Sequence, residues 1–154
     1  MSIRRLLVLS CSRAKNVVDE PTEAWDLYDG MAFRVAKKAF RDNNVYNVTL
    51  IRIISAKHGL IGPTRVISEY DEIMTERRAR SLRRGLIDDL REIVAEVRVQ
   101  QVFLYGGKRY RAAVSPYNDW VKDAKLFAPT GGIGRKLSQL KEWLASPDVS
   151  SEAL

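Results

Sequence analysis

The chain of 154 residues holds one cysteine, Cys11, and one histidine, His58. A single thiol excludes an internal disulfide and a zinc site built from cysteines of one chain. A single imidazole argues equally against zinc held by histidines and against histidine-rich catalysis. Any metal would need carboxylates, and no Asp/Glu pair has the spacing such a site requires, so neither metal nor cofactor is expected. Long apolar runs are also missing. None approaches the ~20 residues needed to cross a bilayer, so a membrane is not an expected partner. Met1 to Arg5 leads straight into a strand pattern instead of the apolar centre of a leader, and the expected location is the cytoplasm, whose reducing conditions suit a free thiol. Repeats, low-complexity tracts and internal linkers are absent too. The chain reads as a single domain, 1–154, with a flexible polar tail at 146–154.

What is present is positive charge and enough apolar content for a core. With 45% hydrophobic residues, a domain of this size buries roughly 70% of its unfolded surface. Lys and Arg number 26 against 19 Asp and Glu, a formal charge of +7. Such a balance favours polyanionic partners without proving them. Five arginines crowd Glu76-Arg77-Arg78-Ala79-Arg80-Ser81-Leu82-Arg83-Arg84, and Lys108-Arg109-Tyr110-Arg111 adds a second cluster beside an aromatic. Either cluster reads as a solvated helix face or as a phosphate-contacting surface, with Arg77, Arg80 and Arg84 the candidate contacts.

Four short apolar runs each end in small, polar or glycine residues: LLVLSCSRAK at 6–15, TLIRIISAKHGL at 49–60, VFLYGGKRY at 102–110 and LFAPTGGIG at 126–134. Continuous β-branched and leucine runs separated by helical patterns mark buried parallel strands. Strands are therefore expected near 3–10, 48–55, 101–105 and 125–127. Helices are expected over 31–41, from a Thr75 cap with an apolar stripe at Leu82, Leu86, Leu90, Ile93 and Val97, over 108–114, and after 134. The fold expectation is a three-layer α/β domain with a mainly parallel central sheet of about four strands and helices on both faces. The 56–74 connection is long for a compact domain, which marks it as functional or internally packed.

Residues just past the carboxyl ends of parallel strands converge on one crevice, the usual ligand site. That places Ser10, Cys11, Ser12, Lys15, Ser55, Lys57, His58, Gly106, Lys108, Tyr110, Gly131 and Gly132 around one candidate site. Lys15 and Lys57 are candidate nucleophiles or phosphate contacts, Cys11 a thiolate or a packing residue, and His58 a proton shuttle or a turn residue. Asp71, Glu69 and Asp29 are the carboxylates to pair with these cations or act as acid and base. Tyr28 and Tyr70 are candidate stacking walls for a base. Gly131-Gly132-Ile133-Gly134 opens a helix but lacks the dinucleotide spacing.

Ser55-Ala56-Lys57-His58-Gly59-Leu60-Ile61, followed by Val66-Ile67, Glu69-Tyr70-Asp71 and Met74, resembles a segment of the YaaA peroxide-stress family. Leu9-Ser10-Cys11-Ser12-Arg13-Ala14-Lys15 stands where that family has an N-terminal Ser-Pro-Ala-Lys motif. The same stretch is similar to the Cys-Ser-x-x-Lys motif of archaeosine synthase, whose lysine takes part in covalent chemistry on a deazaguanine base. The Asp26-x-Tyr28, Phe33-Arg34 and Gly106-x-x-x-Tyr110 elements look like a group of compact domains related to both. The resemblance implies DNA or another nucleic acid, or a nucleotide, as partner, and a role in stress response. The expected function is chemistry at a base or its N-glycosidic bond, of the kind a DNA glycosylase or base-modifying enzyme performs, with Lys15, Cys11, Lys57, His58 and Asp71 in catalysis. The alternatives are a non-catalytic DNA- or RNA-binding protein and an enzyme of free nucleotides; oligomeric state stays open.

Overall fold

The computed structural model describes residues 3–43 and 45–146. In chain order the elements are β1 (Arg5–Ser10), β2 (Thr22–Glu23), α1 (Ala24–Leu27), α2 (Met31–Asp42), β3 (Thr49–Ser55), β4 (Gly59–Ile61), β5 (Val66–Ile67), α3 (Glu76–Val97), β6 (Gln101–Tyr105), α4 (Lys108–Ala113), α5 (Asn118–Val121), β7 (Lys125–Phe127) and α6 (Ile133–Ala145). The fold is α/β around a five-stranded sheet of order β4-β3-β1-β6-β7. β3, β1, β6 and β7 run parallel, and β4 is antiparallel to β3.

β1 lies at the centre because its side chains are apolar without alternation. Leu6, Leu7, Val8 and Leu9 are all fully buried, as a strand covered on both faces requires. Successive side chains point to opposite faces. Leu7 and Leu9 join a cluster with Phe33 and Ala36 of α2 and Leu140 and Leu144 of α6. Leu6 and Val8 join another with Leu86 and Leu90 of α3, Ala113 of α4 and Trp120 of α5. Each such leucine, taken fully out of water, stabilises the fold by about 1.5–3 kcal/mol.

α3 starts and packs as its sequence implies. The Thr75 side chain accepts a 3.0 Å hydrogen bond from the Arg78 N–H, satisfying one of the first-turn donors. Leu86, Leu90 and Val94 are buried. Leu82, Ile93 and Val97 are only partly buried against the same cluster.

The structure departs from expectation between the long elements. The sheet has five strands, and the extra one, β4, comes from the 56–74 connection. Three residues are too few to display a period, and what makes the hairpin is Gly59 at φ +76°, a conformation glycine adopts freely. β5 arises in the same connection and pairs antiparallel with β2, Thr22 facing Ile67. Of the tail expected at 146–154, only Ser146 lies within the described residues.

Candidate functional site

The chain leaves β1 toward β3 on one side and leaves β6 toward β7 on the other. Between β1 and β6, which pair directly with Leu9 opposite Tyr105, the order of connection reverses. A sheet of this kind opens a crevice at that point because the two outgoing loops diverge. A cleft of about 680 Å³ lies there. Its floor and walls come from Cys11, Ser12, Arg13 and Lys15 after β1 and from Gly107, Lys108, Arg109 and Tyr110 after β6. The 71–74 segment, ahead of α3, closes a third side with Asp71, Glu72, Ile73 and Met74.

The loop after β1 is held by its own polar groups. Ser12 Oγ donates to the Ala14 carbonyl at 2.6 Å and accepts from the Gly30 N–H at 3.2 Å. Asn16 N–H donates to the Leu27 carbonyl and Asp29 N–H to the Ala14 carbonyl, so Lys15 is bridged to Tyr28. Gly30 permits this approach, since a Cβ there would stand 2.6 Å from Ser12 Cβ. Gly106 plays the same part under the other wall, where a Cβ would meet Tyr110 Cβ at 3.1 Å and Ser10 Cβ at 3.5 Å.

Hydroxyl groups line the interior behind the cleft. Ser55 Oγ accepts from the N–H groups of Lys57 at 3.2 Å and His58 at 3.0 Å. With both lone pairs filled, its own hydrogen goes to Tyr70 Oη, 2.9 Å away. Tyr70 in turn is hydrogen-bonded to Tyr28. The Cys11 thiol and the Tyr110 hydroxyl share a 3.0 Å hydrogen bond. Burial pushes the phenols of Tyr28, Tyr70 and Tyr110 upward, and the neighbouring Cys11 adds to the rise. These tyrosines therefore stay protonated donors throughout the ordinary pH range.

The Tyr70 ring is a meeting point. Lys15 Nζ lies 4.8 Å and Lys57 Nζ 5.8 Å from its centroid, and the His58 ring meets it edge-on at 5.4 Å. His58 is held below its ordinary value, first by burial and then by Arg65 and Lys57, with Glu72 opposing. The turn bearing Lys57 and His58 is anchored from α3, where Arg78 Nε and Nη2 donate to the carbonyls of Ala56 at 2.6 Å and Lys57 at 2.9 Å.

Of the residues singled out in the sequence, Cys11, Ser12, Lys15, Asp71, Lys108 and Tyr110 line the cleft together. Ser55, Tyr70, Lys57 and His58 stand behind it or join it through the Tyr70 ring. Tyr28 and Tyr70 do not stand as stacking walls: they are 0% and 9% exposed, because their hydroxyls are satisfied inside the core. Gly131 and Gly132 sit on an exposed turn ahead of α6, after the edge strand, and do not line the cleft. Asp29 is engaged by Arg34 at 2.7 Å, which holds its carboxyl below the usual range, and Glu69 is exposed outside the cleft. Arg80 and Arg84 line a different groove, which Arg77 does not reach. Sequence reasoning passed over Arg13, Glu72 and Ile73, although they stand beside or near residues it chose, and took Arg109 only as part of a basic cluster.

The cleft thus carries four cationic side chains, Arg13, Lys15, Lys108 and Arg109, and two carboxylates, Asp71 and Glu72. Glu72 is partly committed to Arg78 at 3.3 Å. Among the described residues no group of three or more His, Cys, Asp and Glu is gathered as a metal would require. No described helix is long and apolar enough to cross a membrane. Residues 6–142 match the family described as "Family of unknown function (DUF6884)". No curated protein and no solved structure matches the chain.

Proposed function

We propose that this chain, which belongs to the DUF6884 family of unknown function, binds a nucleobase or nucleotide in the cleft between β1 and β6 and acts at the base or its N-glycosidic bond. One observation carries the reading: the crevice at the sheet's switch point combines a cationic rim with a carboxylate, a lysine, a thiol and a phenol. A phosphate suits Arg13, Lys108 and Arg109, since guanidinium and ammonium groups together neutralise it and orient it. Tyr110 and Ile73 offer the apolar surface a base ring needs. The domain is read as three layers, so that the helices on both faces leave the strand ends as its concave opening.

In the enzymatic form of the reading, the Asp71 carboxylate takes a proton from the Lys15 ammonium. The free amine then attacks the sugar carbon, the carbon–nitrogen bond to the base breaks, and the base leaves with the electron pair. Asp71 returns the proton to the departing base nitrogen. The secondary ammonium left on the sugar then passes a proton to the ring oxygen as the ring carbon–oxygen bond opens, giving the protonated Schiff base that borohydride reduces. Lys57 and His58 act on this step only through the Tyr70 ring they share with Lys15. A second reading rests on Lys15 itself: an ammonium resting on a tyrosine face is a stable place for a charge. In that reading Lys15 binds phosphate and performs no chemistry, and the protein is a binder of DNA or RNA in a stress response.

Lys15→Arg separates the two, because it keeps the charge and removes the nucleophile. Oligonucleotides carrying hypoxanthine, uracil or 7-deazaguanine, incubated with borohydride, should yield a covalent adduct by mass spectrometry with the wild type and none with the variant, while affinity changes little. If neither protein traps an adduct and both bind equally, the covalent mechanism is wrong. If nucleotide binding is undetectable at low salt, the whole reading fails.

A further inference from the structure

Apart from the cleft, Arg80, Arg83, Arg84 and Arg91 of α3 line a second groove of about 400 Å³. Two of these guanidinium groups are aimed by the fold. Arg83 Nε donates to the Ala112 carbonyl at 3.1 Å and Arg91 Nε to the Asp119 carbonyl at 2.8 Å, which ties one edge of each guanidinium to the backbone. Two carboxylates share the groove. Asp88 is taken up by Arg91 at 3.3 Å, and Asp119 also lines the groove. Arg80, Arg83 and Arg84 form no ion pair among the described residues, so the groove keeps a net positive charge.

The groove and the cleft are neighbours through α4. Lys108 and Arg109 at the start of that helix face the cleft, and Ala112, whose carbonyl holds Arg83, lies near its end. Lys108 and Ala112 are about 6 Å apart along the helix axis, so the carbonyl that holds Arg83 lies about one helical turn from the wall of the cleft. Two cationic surfaces tied to the same six-residue helix suit a chain of anions better than two unrelated ligands. We infer that the α3 groove holds the phosphate backbone of a nucleic-acid strand, one unit of which enters the cleft. This rests on the cleft taking a nucleotide and names its substrate as a polymer. An acidic peptide fits less well, because Ile87 is buried and the rest of the lining is charged apart from Pro116. Peptide recognition draws on apolar anchors, whereas a backbone of phosphates requires little but charge.

Arg80 and Arg84 are exposed, so Arg80→Gln with Arg84→Gln removes charge without touching the core. Lys38→Gln with Lys141→Gln removes the same charge from exposed positions of α2 and α6. Fluorescence anisotropy with a labelled twelve-nucleotide thymidine strand across a sodium chloride series compares the three proteins, and calorimetry with thymidine monophosphate reports on the cleft alone. The expected result is a roughly tenfold loss of strand affinity at low salt and a log–log slope shallower by about 1.4 in the arginine pair, at ~0.7 per phosphate on single strands. The lysine pair should match the wild type, and monophosphate affinity should be the same in all three. Equal losses in both pairs, an unchanged slope in the arginine pair, no strand binding at all, or equal competition by polyglutamate of matched charge would each overturn the groove assignment. A monophosphate that fails to bind while the arginine pair still flattens the slope would sink the cleft reading and uphold the groove.

Discussion

His58 is the only imidazole in the chain, so its proton resonances can be followed without ambiguity. Its ring is pressed edge-on against Tyr70, and burial, Arg65 and Lys57 all disfavour its charged form, with Glu72 the one opposing influence. The expected titration midpoint by NMR is below the ordinary ~6.5. Glu72→Gln should lower it further, and Arg65→Gln should raise it. The sign for stability follows from which state holds the proton more tightly. As pH drops below about 6.5 the unfolded chain takes up a proton that the folded protein resists, so stability declines there until the folded-state midpoint is passed. A midpoint at or above the ordinary value would remove this account of the ring's surroundings. Lys15 and Lys57 meet the same Tyr70 ring, and their spacing along the chain offers no hint of it.

At the scale of the element, two glycines of this chain predict opposite outcomes for the same substitution. Gly30→Ala puts a methyl group where Ser12 Cβ stands 2.6 Å away, so either α2 or the loop bearing Cys11, Ser12 and Lys15 must move. Overpacking of this kind costs about 1–3 kcal/mol, and urea unfolding should show it together with weakened nucleotide binding. Gly85 lies on the exposed face of α3, where an added methyl would meet nothing within 4 Å. Gly85→Ala there restricts the unfolded chain and favours the helix, so stability should rise by about 0.5–1 kcal/mol with the cleft unaffected. If Gly30→Ala left stability and binding intact, the loop would not be anchored through Ser12. No gain from Gly85→Ala would mean that α3 draws its stability from packing alone.

For the molecule as a whole, alkaline pH is the condition to which the interior responds. Burial raises the phenols of Tyr28, Tyr70, Tyr105 and Tyr110. A raised folded-state value means the stabilisation is complete below the free value of ~10 and is lost as pH climbs above it. Phenolate absorbance from these residues should therefore appear only with the loss of near-ultraviolet circular dichroism, and complete ionisation of a folded protein would contradict the burial described. Much of this architecture was legible in the sequence. The parallel strands, the Thr75 cap and the clusters after β1 and β6 depend on unbroken apolar runs, capping chemistry and glycine turns, which a short window of residues contains. Cys11, Ser12, Lys15, Lys108 and Tyr110 were recognisable for that reason. Other features were decided by tertiary structure alone: that β1 and β6 lie side by side so their loops frame one cleft, and that the glycine turn after β7 stays at the sheet edge. So was the withdrawal of Tyr28 and Tyr70 into a hydroxyl network, and the assembly of Arg80 and Arg84 with Arg83 and Arg91. Each of these rests on pairing and packing between segments far apart in the chain, where crossover hand and the summed burial of many side chains decide, and no local pattern of residues records that sum.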